Sequence, residues 1–222
     1  MPAQTARLKR IKMATIGAPD VEKVKAWYND WLDYQLVDEG WVPDNWAASW
    51  GAPVSAGRRY VVMGPASGED VFIRAVDIDP LPDFKTLTTC GWAAIEITVA
   101  DVDAVMKKLK LSPFRVIGLP RALTTDSPIR AMQIVGPAEE VIYLTGNTGD
   151  RVASNHPEPQ KLIDRVFIMV LVGPRGALQR CSAVVHGYHQ RRLEQRPHRD
   201  LQDGAHQHQH DRGRNQDAQG AG

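Results

Sequence analysis

The sequence predicts an α+β fold made of paired βαβββ units, and three observations predict it. A strand, an aspartate and an amphipathic helix follow one another at Ile11 to Tyr28 (IKMATIGAPDVEKVKAWY) and again at Ala93 to Leu109 (AAIEITVADVDAVMKKL). The two helix starts share one offset of 81, pairing Asp20 with Asp101, Val21 with Val102 and Val24 with Val105. GPASGEDVFI at 64–73 matches GPAEEVIY at 136–143 once Ser67 and Gly68 are taken as an insertion, so the repeat extends to the closing hairpin. A shared helix start and a shared hairpin in the same order indicate an internal duplication.

Taken in order, residues 1–9 are a lead-in and Arg10 to Gly17 is the first strand. Pro19 and Asp20 stop it, and Asp20 caps a helix. Val21, Val24, Trp27, Tyr28, Trp31 and Leu32 recur at helical spacing and should face a sheet. Tyr34 to Val37 is the second strand. Asp38 to Arg58 then reads as a long irregular segment carrying Trp41, Trp46 and Trp50, a length that often signals function. Tyr60 to Met63 and Val71 to Val76 close the first unit around Gly64-Pro65. In the second unit the strands are Ala93 to Val99, Phe114 to Gly118, Met132 to Val135 and Val141 to Leu144. Asp101 caps the helix, whose buried face is Val102, Val105, Met106 and Leu109. The expected boundaries are 8–80 and 88–147 for the two units, with 148–161 as a linker.

Val166 to Val172 aligns with the first strand at an offset of 155, so 162–174 reads as the opening of an incomplete third unit and an orphan strand. Beyond it the composition changes. There is no Lys after Lys161, no Phe after Phe167 and no Ile after Ile168, and six of the seven His follow position 180. Residues 175–222 read as a disordered tail or as out-of-frame translation beginning near Gly173 to Gly176, which would truncate the third unit. In that case Val166 to Val172 lacks its sheet and is an aggregation hazard. The HQHQH run at 206–210 is weighed as an incidental polar run against a transition-metal site, and the incidental reading is favoured.

Composition narrows the function classes. The net charge is +1, which argues against nucleic acid and against an anionic membrane as partners. Cys90 and Cys181 are the only cysteines, too few for a disulfide scaffold and suited to the cytoplasm. The polar, basic start MPAQTARLKR suggests no secretory signal. No Ser-His-Asp arrangement, phosphate loop or CxxC is present.

IKMATIGAPDVEKVKAWYNDWL and AAIEITVADVDAV, with the closing strands DVFIRAV and EVIYLTG, resemble the vicinal-oxygen-chelate superfamily of glyoxalases, bleomycin-resistance proteins and extradiol dioxygenases. The resemblance implies a curved mixed sheet around a cleft. It also implies, in metal-dependent members, a His on the first strand and a Glu on the last. Here Met13 and Ala94 stand at the first-strand position, Ile73 and Tyr143 at the last-strand position, and residues 1–150 contain no His. The expectation is therefore a domain without a metal or cofactor that binds a small molecule, an aromatic one first among the candidates, with a homodimer as the candidate assembly. The alternative is the non-catalytic half of an extradiol dioxygenase or glyoxalase-like lyase, whose lost half would hold Fe or Mn.

The candidate ligand-binding residues are Met13, Trp46, Trp50, Tyr60, Arg74, Glu96 and Tyr143. Trp46 and Trp50, with Trp41, suit a lid over a flat ring, or equally a loop anchor. Tyr60 follows Arg58 and Arg59, which suits an anion, although surface arginines are the commoner case. Arg74 and Glu96 lie in apolar strands, where a charge needs a partner. A structural Arg74–Glu96 pair is favoured over two ligand contacts. Cys90 is read as an inert side chain, and Asp77, Asp79 and Asp83 as solvated linker carboxylates.

Overall fold

Each capping aspartate opens a helix. Asp20 is in an extended conformation and accepts a hydrogen bond from the Lys23 amide at 2.9 Å, starting α1 (Val21–Leu32). Asp101 accepts from the Asp103 and Ala104 amides at 2.8 and 3.1 Å, starting α3 (Val102–Leu109). Asp33 ends α1 in the left-handed region at φ 59°, which short polar side chains tolerate. These facts come from a computed structural model that describes residues 10–150 and 156–173.

Among the described residues, nine strands form two mixed sheets. In the first unit they are β1 (Met13–Ala18), β2 (Tyr34–Trp41), β3 (Arg59–Pro65) and β4 (Phe72–Asp77), in spatial order β1-β4-β3-β2. β1 runs parallel to β4, and the other neighbours are antiparallel. The second unit contains β5 (Gly91–Val99), β6 (Arg115–Ala122), β7 (Ile129–Val135) and β8 (Val141–Asn147) in the same relative order, with β5 parallel to β8. β9 (Ile163–Val172) adds a fifth strand, giving the order β6-β7-β8-β5-β9.

One face of each sheet carries the helix. Ala14, Ala18, Val61, Met63, Ile73 and Ala75 pack under Val21, Val24, Tyr28 and Leu32 of α1. The equivalent residues of the second sheet, among them Ile95, Ile97, Met132, Ile134, Ile142 and Leu144, pack under Val102, Val105 and Leu109. The two sets belong to a single core. Trp27 meets Phe114 edge-on at 5.3 Å and Tyr28 lies 6.3 Å from the same ring, so α1 reaches into the second unit.

Three expectations change. The segment 38–58 is not irregular throughout: β2 continues to Trp41, a short helix α2 spans Asp44–Ser49, and a 3-10 turn covers Pro53–Ser55. A bulge between Leu36 and Asp38 disguises the strand, because it breaks the alternation by which strands are recognised. The sixth strand begins at Arg115 rather than Phe114 and runs on to Ala122 through two register shifts. It tolerates Pro120 because it is a sheet edge.

The third change concerns Val166 to Val172. It is not an orphan, since β9 pairs antiparallel with β5 from Gly91–Val172 to Val99–Ile163. Its backbone is paired on one side and Val166 is buried, while Phe167 to Leu171 are half-buried on a sheet edge. Asp164, fully buried, fixes its start: Oδ1 accepts from the Ser67 hydroxyl at 2.5 Å and Oδ2 from the Gln160 amide at 2.6 Å. The Asp164 carbonyl accepts from the Tyr34 hydroxyl at 2.7 Å. The proposed tail at 175–222 lies outside the described residues, as does the HQHQH run.

Candidate ligand-binding faces

The faces turned away from the helices follow from strand alternation. On β1 that face holds Met13, Thr15 and Gly17, and on β4 it holds Phe72, Arg74 and Val76, with Thr15 directly opposite Arg74. In the second sheet the same relation sets Ala94 opposite Val141 and Glu96 opposite Tyr143. The offset of 81 carries Thr15 onto Glu96. Ile73 is corrected by this register: it is fully buried in the helix-side core, one residue out of step with the open face. A strand slip of one residue exchanges the two faces, which is why the position was misread.

Five candidates gather on the first sheet. Arg74 stacks its guanidinium on the Trp50 ring, 4.0 Å from the centroid, and donates from Nη2 to the Thr15 hydroxyl at 3.0 Å. Trp46 lies 5.9 Å from Trp50 and 5.6 Å from Tyr60. Val42, Ala47, Tyr60, Val62 and Val76 form the apolar bed, with Trp50 and Phe72 packed against it. Met13 is 38% exposed at the rim of the face. Helix α2 is what delivers Trp46 and Trp50 to this bed, since they sit one turn apart and the Trp50 amide bonds the Trp46 carbonyl at 3.0 Å. Trp41 is 66% exposed at the end of β2 and does not join the cluster.

The charges here are unevenly satisfied. Arg58 pairs with Asp77 and Asp79, and Arg59 with Glu22 and Glu39. Both arginines are therefore tied into the surface, and Asp77 and Asp79 are partners rather than merely solvated. The Tyr60 hydroxyl donates to Asp38 at 2.8 Å, which raises its pKa. Arg74 has no acidic partner among the described residues, and its buried Nε has no hydrogen-bond partner there. Desolvation lowers its pKa, although guanidinium remains charged at any working pH. The expected Arg74–Glu96 pair is not formed.

Glu96 and Tyr143 occupy the second sheet. Glu96 is 3% exposed, and its Oε1 accepts from the Thr145 hydroxyl at 2.6 Å. Tyr143 packs with Ala94, Val135, Val141 and Val170. β9 extends this sheet beside β5, with Val170 packed against the cluster and Ile168 beside Glu96. Thr15 faces Arg74 on the first sheet and Glu96 faces Tyr143 on the second, and together these pairs offer a single carboxylate beside a guanidinium. That set does not suit a hard divalent cation. Cys90 is exposed and free.

Sequence reasoning missed Glu140. A pocket of about 240 Å³ opens between β1, the 84–89 connection, β5 and the turn before β8, and Glu140 is in its wall. Its Oε1 accepts from the Tyr28 hydroxyl at 2.8 Å and its Oε2 from the Ala138 amide at 2.8 Å. Burial pushes its pKa up to about 7 against the lowering effect of those bonds, and the neighbouring Glu139 carboxylate pushes the same way. One signal was available. The sequence repeat aligns Glu140 with Asp70, which is exposed and held by Arg10 and Lys12, whereas the strand register that corrects Ile73 sets Glu140 level with Val71, which is buried.

No family model matches the chain, and no curated protein matches it. Among solved structures it is similar to a glyoxalase family protein from Bacillus cereus, with 17% identity and a TM-score of 0.50 over 67% of this chain and 99% of that one. It is also similar to a glyoxalase/bleomycin resistance protein/dioxygenase superfamily member from Sphaerobacter thermophilus, with 19% identity and a TM-score of 0.45 over 63% and 98% of the two chains. Glyoxalase I from Zea mays matches with 14% identity and a TM-score of 0.48 over 64% of this chain, which spans 45% of that protein. The first likeness, with the β1-β4-β3-β2 order found in both units, establishes a fold of the vicinal-oxygen-chelate type.

Proposed function

We propose that this vicinal-oxygen-chelate-fold chain is a metal-independent binding protein for a small organic anion with an apolar, aromatic body, taken up on the open face of the first sheet. Arg74 carries the reading. A guanidinium half-buried in an aromatic bed, with no acidic partner among the described residues, is left with donors that a carboxylate can use. The Trp50 ring holds it flat by a contact worth roughly 0.5–2 kcal/mol. Trp46, partly exposed and backed by the buried Tyr60, offers a ring face beside it for an aromatic body. Thr15 fixes one guanidinium edge from the neighbouring strand and keeps the fork oriented.

The test is benzoate binding followed by calorimetry, with benzyl alcohol as the neutral control. Benzoate should bind at least tenfold more tightly than the alcohol. Arg74→Met should remove that preference, and prior treatment with a chelator should leave it intact. Equal affinities for the two probes would refute the anion assignment, and a requirement for added metal would refute the metal-independent one.

A further inference from the structure

We propose that the pocket between β1, the 84–89 connection, β5 and the turn before β8 is a second binding site, for a small primary amine with an apolar body, whose ammonium is received by Glu140. Three observations meet there. The wall contains two carboxylates, Glu139 and Glu140, and no Lys or Arg, so an ammonium there meets carboxylate oxygens and would draw Glu140 into its charged form. The mouth is apolar: Phe84, Leu87 and Trp92 line it and are exposed, which leaves apolar surface for a ligand body to cover.

The two carboxylates also divide the work. Glu139 is engaged across the mouth. Its Oε2 accepts from the Thr86 hydroxyl and from Arg115, both at 2.9 Å, and so ties the connection to the turn. Glu140 takes one side-chain or backbone donor on each oxygen, from Tyr28 and Ala138. A carboxylate has about four lone-pair sites, so acceptor capacity remains for an ammonium, which brings three donors. Those same two bonds hold the carboxylate rigid, so little ordering is needed on binding. Gly136 leaves room beside it, since a Cβ there would push the Glu140 carboxylate out of its place.

This site stands apart from the anion reading. Arg74 is not in the pocket wall, and of the residues that contact its guanidinium, Thr15 lines the pocket and Trp50 does not. The ligand charges are opposite, so one pair of probes separates them.

Benzylamine and benzoate are titrated into the full chain and followed by amide and indole NMR. Benzylamine should shift the Trp92 indole and the Glu140 amide, and Glu140→Gln should weaken it at least tenfold while leaving benzoate binding unchanged. Because Glu140→Gln also touches the core through Tyr28, a second variant, Leu87→Lys, places a cation at the exposed mouth. It should weaken benzylamine at least tenfold with an unaltered spectrum elsewhere. Benzylamine that shifts neither Trp92 nor Glu140, or that binds both variants as well as it binds the parent, overturns the proposal. Loss of benzoate binding alone overturns the Arg74 reading and leaves this one standing.

Discussion

Glu140 shows what a single residue does to a fold of this kind. Its carboxyl titrates near 7 in the folded chain, against 4.5 as the ordinary value, because burial disfavours the charged form. The sign follows from linkage. The folded state holds the proton more tightly, so the stabilising contribution is complete below about pH 4.5 and is lost as the pH rises through about 7. The loss is at most about 3 kcal/mol at 1.36 kcal/mol per pKa unit. Glu140→Gln keeps an acceptor for Tyr28 and cannot ionise. Its urea midpoint should therefore change less between pH 4.5 and 7.5 than that of the parent, and parallel midpoints in the two proteins would refute the assignment. At this scale the sequence was partly legible. Arg74 stood out because a charge in DVFIRAV needs an explanation, and among the described residues it meets no acid. Glu140 did not stand out, because EEV after a turn reads as solvated surface. Only the approach of Tyr28 from α1, 112 residues away, changes its environment.

Elements were easier to read than residues, since their signals are local. Asp20 and Asp101 predict helix starts because a side-chain acceptor next to free amides is useful only there. The two caps differ in strength: Asp101 meets two amides and Asp20 one. Replacing either by Ala should cost about 1 kcal/mol in urea denaturation, with Asp101→Ala the larger loss, and Asn at either place should recover most of it. If Ala at both positions leaves the midpoint unchanged, tertiary packing alone holds these helices. The segment 38–58 was less legible for a physical reason. β2 is an edge strand with a bulge, so neither burial nor alternation marks it, and α2 is too short for helical periodicity to show. Its Trp46 and Trp50 could be named as candidates, but their pairing with Arg74 depends on the bend that α2 supplies. Trp50→Ala should accordingly weaken benzoate more than Trp41→Ala does, because Trp41 points to solvent.

At the scale of the whole molecule, the duplication was readable and the fate of the third opening strand was not. VFIMVLVGP resembles the start of a unit, yet β9 finds its partner by long-range register, running antiparallel to β5. Nothing local in a strand states which edge it will join. What secures the choice is Asp164, whose side chain and carbonyl receive Ser67, Gln160 and Tyr34, three donors from separate parts of the chain. Ser67 belongs to the two-residue insertion that distinguishes the first hairpin from the second, so the departure from the repeat is where β9 is held. Arg165 extends the tie by pairing with Glu69 at 3.2 Å. Removing one partner from a buried set leaves the others unmatched, at about 1–3 kcal/mol for each buried group. Asp164→Ala should therefore destabilise the chain by several times what Ser67→Ala costs, because it strands two donors where Ser67→Ala removes one. Amide exchange gives the sharper readout. In Asp164→Ala the amides of β9 and of the facing edge of β5 should lose protection before those of β1 and β4. Uniform loss across both sheets would mean that β9 is held by its apolar contacts and that the Asp164 clasp is incidental.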